Sequence, residues 1–143
     1  MSENLKLSNQ VCFPIYSLAK EVVSLYRPIL QRLDLTYPQY LVMLVLWEEG
    51  TQNVSEIGTK LNLDSGTLTP LLKRLAQKNL IERNRSTHDE RIVEIKLTAS
   101  GQAMKATAAE VPEQILNSLN VSIEQLEALK AGIDNILNQI KKQ

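Results

Sequence analysis

Apolar residues recur every three or four positions along most of the chain, which is the spacing of amphipathic helices. The first stripe predicts a long helix over about residues 9–32, with Pro14 near its start. Pro28, near the other end, is expected to kink or stop that helix, because proline lacks a backbone N–H. A second helix is predicted from Tyr37 to about Trp47, and since it is apolar nearly all round, we expect it to be buried.

Two shorter helices follow, separated by a tight turn. Asn53 and Glu56 have the spacing of a capping box, which predicts the start of the first of them. The second is expected after the turn at residues 62–64, with a Ser or Thr as its N-cap. Its apolar stripe consists of Leu68, Leu71, Leu72 and Leu75. Two helices of this length joined by a tight turn indicate a helix-turn-helix.

The strand-like part of the chain comes next. Residues 80–85 and 91–97 flank a polar loop, and apolar and charged residues alternate in the second segment as in a hairpin strand. Two helices complete the chain, over about residues 98–119 and 122–141, and their first residues, a Thr and a Ser, are the expected N-caps. The pattern as a whole predicts a mainly α-helical fold with one small β-hairpin.

Length and composition are those of an ordinary globular protein. The chain has 143 residues, of which 43% are apolar and 22% charged, so a single domain over residues 1–143 is expected. The net charge is zero, but residues 60–96 hold eight Lys or Arg against five Asp or Glu. This local excess of positive charge suggests one surface directed at a polyanion.

The cysteine and histidine counts limit which disulfides and metal centres the chain can form. One Cys and one His cannot form an intrachain disulfide or a Cys- or His-based metal centre, so we expect neither a metal nor a cofactor. The apolar runs are far shorter than the roughly 20 residues of a membrane span, and the N-terminus is polar. We therefore expect a cytoplasmic protein with a single thiol and no membrane contact.

The second helix of the helix-turn-helix is apolar on one side and polar on the other, as a recognition helix is. Short hydroxyl side chains near its start suit base edges and phosphates, and long cations suit the DNA backbone. The hairpin adds three Arg, which suit the minor groove, and an Asp able to pair with one of them. The simpler alternative to DNA binding is that these side chains only form a solvated surface. Three features together favour DNA binding: a capped helix pair, a basic hairpin beside it and the local excess of positive charge. The candidate DNA-binding residues are Ser65, Thr67, Thr69, Lys73, Arg74, Arg83, Arg85, Asp89 and Arg91.

Several motifs resemble those of known repressors. Residues 53–97 resemble the winged helix of MarR-type repressors, above all in the run Asp64–Leu75. The resemblance to their organic-hydroperoxide-sensing branch, OhrR, covers nearly the whole chain and includes Asn9–Phe13 and Leu35–Glu49. Pro14, directly after the Cys-Phe pair, departs from that pattern. The resemblance implies a winged helix-turn-helix repressor that binds operator DNA as a homodimer.

The helices outside the winged helix are expected to form the dimer core. The first helix and the last two have wide apolar stripes that one small subunit cannot bury. We therefore assign residues 1–34 and 99–143 to dimerisation and residues 35–98 to the winged helix.

The six aromatic residues all fall within the 35 residues that follow Cys12. Tyr16 is one helical turn from Cys12, whereas Tyr26 is fourteen residues on, about 21 Å along a helix. Tyr26 can therefore reach a Cys12 only across a two-fold axis, if the first helices pack antiparallel. A tyrosine-rich core or interface is the alternative. The OhrR resemblance implies the first arrangement, in which Tyr26 and Tyr37 of one subunit hydrogen-bond the reactive sulfur of the other, with Tyr16 close by.

Together these features predict a transcriptional repressor, not an enzyme, that leaves DNA when an organic hydroperoxide oxidises Cys12. With one Cys in the chain, the sulfenic acid can only form a disulfide with Cys12 of the other subunit or with a small cellular thiol, or oxidise further. Two alternatives stay open: a MarR-type repressor released by a small phenolic ligand, with Cys12 inert, and a thiol peroxidase. The basic hairpin and the single cysteine argue against the peroxidase.

Overall fold

Seven α-helices and three short strands make up the part of the chain that the computed structural model describes, residues 2–142. In chain order they are α1 (Phe13–Gln31), α2 (Tyr37–Glu49), β1 (Gln52–Asn53), α3 (Val54–Leu61), α4 (Ser65–Gln77), β2 (Ile81–Arg85), β3 (Val93–Leu97), α5 (Ala99–Ala108), α6 (Val111–Leu119) and α7 (Ile123–Lys141). Two 3-10 turns, Ser2–Leu5 and Leu7–Asn9, precede α1. The predicted mainly helical fold with a small hairpin is confirmed, while residues 1 and 143 of the predicted domain lie outside the described residues.

The first helix begins later than its apolar stripe predicts. Cys12 is the N-cap of α1, and Pro14 lies in the first turn, where its missing N–H costs no hydrogen bond. The prediction of helix from about residue 9 is therefore wrong, because the residues before Cys12 form 3-10 turns and an irregular segment. Pro28 lies inside α1 and does not stop it, since the helix continues to Gln31.

The helix-turn-helix consists of α3 and α4. The predicted capping box of α3 is confirmed: Asn53 Oδ1 accepts from the Glu56 N–H at 2.8 Å, and Glu56 Oε2 accepts from the Asn53 N–H at 3.0 Å. The N-cap of α4 is Asp64 and not the predicted Ser or Thr, and its Oδ1 accepts from the Thr67 N–H at 2.7 Å. A carboxylate in this place also interacts favourably with the helix dipole. Gly58 lets α3 approach the turn, because a Cβ there would lie 2.7 Å from the Leu63 carbonyl oxygen.

The sheet has three antiparallel strands in the order β1-β3-β2. The predicted hairpin is confirmed, with β2 and β3 paired from Ile81 opposite Leu97 to Arg85 opposite Val93. The sequence does not predict the third strand, β1, because two residues give no alternating pattern. This strand pairs Gln52 with Ile95 and so joins the start of α3 to the hairpin.

The helical region after the hairpin is broken in two. The sequence predicts one helix over residues 98–119, but α5 ends at Ala108 and α6 begins at Val111. Pro112 occupies the first turn of α6, which explains why the helix restarts there. The predicted caps Thr98 and Ser122 are both confirmed, since each side chain accepts from the backbone N–H three residues on.

The core lies where α2 packs against α3, α4, β3 and the end of α1. As predicted, α2 is largely buried, and it contributes Tyr40, Val42, Met43, Val45 and Leu46. Fully buried side chains from the other elements are Leu30, Ile57, Leu68, Leu72, Leu75 and Ile95. The Trp47 indole N–H donates to the Gly101 carbonyl at 2.9 Å and ties α2 to α5. Among residues 2–142, no helix is both long enough and apolar enough to span a membrane.

Candidate DNA-binding surface and thiol site

Helix α4 separates its apolar and polar residues as a recognition helix requires. Leu68, Leu72 and Leu75 are buried, which anchors the helix on the core. The polar candidates Ser65, Thr67, Lys73 and Arg74 are exposed on the other side. Thr69 is half-buried, and its hydroxyl donates to the Ser65 carbonyl at 2.8 Å.

The hairpin β2–β3, which we call the wing, carries the remaining cations. Arg83 and Arg85 are exposed, and Arg85 Nη1 donates across the loop to the Glu90 carbonyl at 2.8 Å. The predicted pair of Asp89 and Arg91 is confirmed, with Nε–Oδ1 and Nη2–Oδ2 distances of 3.1 Å. These hydrogen bonds from Arg91 hold the pKa of the Asp89 carboxyl below its usual range, so this carboxyl is ionised at neutral pH.

Helix and wing face a common groove. An open groove of about 1020 Å³ lies between α3, α4 and the wing. Its walls include Ser65 and Thr69 from α4 and Arg83 and Arg91 from the wing. The fold thus brings hydroxyl groups and guanidinium groups together on one surface from segments about twenty residues apart in sequence. Lys73, Arg74 and Arg85 do not line this groove and lie elsewhere on the exposed faces of α4 and the wing.

The single thiol lies at the start of α1. Cys12 is exposed, and its side chain makes no capping hydrogen bond. Its backbone carbonyl accepts from the Tyr16 N–H at 3.2 Å, one turn further along. Tyr16 is 62% exposed, and Lys20 Nζ lies 5.2 Å from the centroid of its ring. Within one subunit, Cys12 and Tyr16 are therefore neighbours on an exposed surface.

Three other tyrosines form a cluster at the opposite end of α1. The ring centroids of Tyr26 and Tyr37 are 4.5 Å apart, and that of Tyr40 lies 6.0 Å from Tyr26 and 6.4 Å from Tyr37. Burial, with smaller contributions from Tyr37 and Tyr40, raises the pKa of Tyr26 to about 12. The hydroxyl group of Tyr26 is therefore protonated at neutral pH and can act as a hydrogen-bond donor. Tyr40 is not among the predicted site residues, although its spacing of three from Tyr37 on a helix puts both on one face.

The structure does not bring Cys12 and this tyrosine cluster together within one subunit. They lie at opposite ends of α1, about 21 Å apart at 1.5 Å per residue. The predicted contact between Cys12 and Tyr26 or Tyr37 therefore requires a second copy of the chain.

Two helices have apolar faces that remain exposed in the single subunit. In α1 only Leu30 is buried, and α7 buries no residue at all. The exposed apolar side chains at the start of the chain and on α1 are Leu5, Leu7, Val11, Phe13, Ile15, Leu18 and Val23. Those on α7 are Ile123, Leu129, Ile133, Ile136, Leu137 and Ile140. So large an exposed apolar surface is typical of an interface with another protein chain.

A second cavity, of about 540 Å³, lies between α2 and the α5–α6 region. Tyr40, Leu44 and Trp47 form its wall on α2, and Ala108 and Pro112 form the opposite wall. Its size is within the range of small-molecule sites. In the part of the chain that the structure describes, no three His, Cys, Asp or Glu side chains come close enough to hold a metal ion.

Comparisons with known proteins identify the family. Residues 24–107 match the family described as transcriptional regulator SarA/Rot. The chain is 44% identical over 141 residues to the organic hydroperoxide resistance transcriptional regulator of Bacillus subtilis (strain 168), covering 99% of this chain and 96% of that one. The resemblance that the motifs carry is thus confirmed.

Solved structures give the same result. Reduced AbfR bound to DNA, a structure of a Staphylococcus epidermidis protein, matches with a TM-score of 0.79 at 35% identity, over 97% of this chain and 96% of that one. The disulfide-formed AbfR matches less closely, with a TM-score of 0.66 at 36% identity, over 95% and 96% of the two chains. The matching family and the Bacillus subtilis relative are transcriptional regulators and not enzymes. The chain therefore belongs to the SarA/Rot family of transcriptional regulators and has their winged-helix fold.

Proposed function

We propose that the protein represses transcription by binding operator DNA as a homodimer, and that an organic hydroperoxide releases it by oxidising Cys12. The observation that carries the proposal is the position of the thiol. Cys12 is exposed at the N-cap of a helix whose apolar face is also exposed. Whatever covers α1 therefore also covers the thiol, and the groove between α4 and the wing is free to meet DNA.

A second copy of this chain is the partner that fits α1. In an antiparallel pair of α1 helices with the two-fold axis near Ala19, Cys12 of one subunit lies opposite Tyr26 of the other, since residue 19 is midway between residues 12 and 26. Ala19 is exposed and small, so the two helices can approach closely. Tyr37 contacts Tyr26, so it reaches the same sulfur. The exposed apolar face of α7 extends the interface.

The DNA contacts follow from the exposed polar residues of α4 and of the wing. Helix α4 enters the major groove, where Ser65 and Thr67 near its N-terminus meet base edges or phosphates. Lys73 and Arg74 neutralise phosphates. The arginines of the wing reach the backbone and the adjacent minor groove, with Asp89 holding the Arg91 guanidinium in a fixed orientation. Arg83 and Arg85 are exposed on β2 and add positive charge to the wing.

The chemistry at Cys12 is a two-electron oxidation. The free N–H groups at the start of α1 favour an anion, and the thiolate is the nucleophilic form of cysteine. Its sulfur attacks the terminal oxygen of the hydroperoxide, so that an S–O bond forms and the O–O bond breaks. The sulfur becomes a sulfenic acid, and the alkoxide takes up a proton and leaves as an alcohol. A small cellular thiol then forms a disulfide with this sulfur and water is lost, since the two Cys12 sulfurs of such a dimer lie too far apart to join each other.

Release follows from the size of the oxidised sulfur. A sulfenic acid or a mixed disulfide is bulkier than a thiol, and it separates the sulfur from the tyrosine hydroxyls. The α1 helices then shift, and the spacing of the two α4 helices changes. Because that spacing must match one DNA turn of about 34–36 Å, a small shift weakens binding. The test is operator release by an organic hydroperoxide in the wild type and in Cys12→Ser.

The cavity between α2 and the α5–α6 region favours a second candidate. In this alternative a small aromatic ligand occupies the cavity against Tyr40 and Trp47 and shifts α2, while Cys12 takes no part. The two candidates differ in one result. A small ligand still releases Cys12→Ser from the operator, whereas a hydroperoxide does not.

A further inference from the structure

Lys78 joins three helices at one point. It is the C-cap of α4, and its ammonium group contacts the turn between α1 and α2. There it donates to the Asp34 carbonyl and, at 3.1 Å, to Gln39 Oε1, and it lies 3.7 Å from Asp34 Oδ2. The Lys78 side chain is only 29% exposed. One cation thus bridges the end of α1, the first turn of α2 and the end of α4.

Gln39 connects this bridge to the tyrosine cluster. It is 3% exposed and lies in the first turn of α2, between Tyr37 and Tyr40. Its Oε1 accepts from the Thr36 N–H at 3.0 Å, and its own N–H donates to Thr36 Oγ1 at 3.4 Å. These two bonds form a capping box, so the Gln39 side chain is fixed to the turn that also holds Tyr37.

We infer that Lys78 is a positioning residue that couples the tyrosine cluster to the recognition helix α4. The inference rests on the proposed function, in which oxidation displaces Tyr37. A displacement of Tyr37 moves the first turn of α2 and, with it, Gln39 Oε1 and the Asp34 carbonyl. Hydrogen bonds from a charged ammonium group are about twice as strong as those between neutral groups, and Lys78 makes two of them to this turn, so the end of α4 follows that movement. The DNA surface then responds to the thiol without any direct contact between them.

The test uses Lys78→Met, which keeps the length of the side chain and removes its charge. Gln39 retains its bond to Thr36, and the exposed Asp34 can bind water, so the variant is expected to fold with a thermal midpoint near that of the wild type. The ratio of operator affinities, reduced over cumene hydroperoxide-oxidised, is measured for wild type and variant. We expect this ratio to fall at least about fivefold in Lys78→Met. The rate at which Cys12 is oxidised is expected to stay unchanged.

Lys73→Met is the matched control. It removes the same charge from an exposed position of the same helix. It is expected to lower the affinity in both redox states by the same factor and to leave the ratio unchanged. A wild-type ratio in Lys78→Met, or an equal fall of the ratio in Lys73→Met, overturns the role of Lys78 and leaves the proposed function intact. A ratio near one in the wild type itself contradicts the proposed function.

Discussion

Asp89 and Arg91 form a two-point pair in the wing, with guanidinium Nε and Nη2 each 3.1 Å from a different carboxylate oxygen. The Arg91 side chain is 90% exposed and the Asp89 side chain 33%, so the carboxylate lies against the wing and the cation projects from it. Such a pair fixes the direction of a group that would otherwise rotate freely in solvent.

Arg91→Ala is therefore expected to weaken operator binding by about 1–3 kcal/mol, because it removes an oriented cation and leaves Asp89 facing phosphates. The measurement is an operator titration at physiological salt. Lys142→Ala, which removes an exposed cation just after α7, is the control and is expected to bind like the wild type. Wild-type affinity in Arg91→Ala would exclude this part of the wing from the interface.

Lys73→Ala tests how α4 binds the DNA backbone. If Lys73 neutralises a phosphate, its removal reduces the number of counterions released on binding. The slope of log affinity against log salt then becomes shallower by about one for each phosphate that is no longer neutralised. The measurement is a series of titrations at increasing salt concentration. A weaker affinity with an unchanged slope would show that Lys73 acts by some means other than phosphate neutralisation.

The double variant Tyr26→Phe, Tyr37→Phe tests the tyrosine contacts of the thiol. Each hydroxyl that donates to a buried thiolate contributes about 1.5–3 kcal/mol, and about 1.36 kcal/mol corresponds to a factor of ten. Loss of both hydrogen-bond donors to the sulfur is expected to slow the oxidation of Cys12 at neutral pH by about tenfold or more. Stopped-flow oxidation with cumene hydroperoxide measures this rate.

Tyr40→Phe removes a hydroxyl from the same cluster and is the matched control for that experiment. The Tyr40 hydroxyl has no proposed contact with the sulfur, so the oxidation rate of this variant is expected to equal that of the wild type. Equal rates in the double variant and in the wild type would make Tyr26 and Tyr37 packing residues alone.

The raised pKa of Tyr26 predicts a pH dependence of stability. Burial and the neighbouring tyrosines raise this pKa from 10.0 to about 12. The folded protein therefore holds the phenolic proton more tightly than the unfolded chain, and its contribution to stability is complete below about pH 10 and is lost as the pH rises toward 12. Thermal unfolding at increasing pH should show a smaller loss of stability in Tyr26→Phe than in the wild type over this interval. Identical profiles would contradict the burial of this hydroxyl.

The sequence predicts the elements well wherever local chemistry decides them. The capping box of Asn53 and Glu56, the caps Thr98 and Ser122 and the end of the last helix are all confirmed, because side chains within one helical turn determine them. The apolar spacing misses the break before α6, although Pro112 marks it. The two-residue strand β1 is beyond prediction from its own residues, since only pairing with β3 makes it a strand.

The site is less evident from the sequence because it depends on long-range contacts. Asp89 and Arg91 are two residues apart and their pairing is predicted, whereas the bonds of Lys78 to Asp34 and Gln39 span 44 and 39 residues. Nothing in the neighbouring sequence distinguishes Lys78 from the other cations at the end of this helix. The proximity of Tyr26 to Tyr37 depends in the same way on how α1 packs against α2.

Release from operator DNA tests the central claim most directly. Wild type and Cys12→Ser are titrated on the same operator fragment, with and without prior treatment with cumene hydroperoxide. The account predicts equal affinity of the two reduced proteins, loss of binding by the treated wild type, and unchanged binding by treated Cys12→Ser. It also predicts that a thiol reductant restores binding by the wild type where the sulfur has not passed the sulfenic acid or disulfide stage. Release of Cys12→Ser by the hydroperoxide, or retention of the treated wild type on the operator, would contradict it.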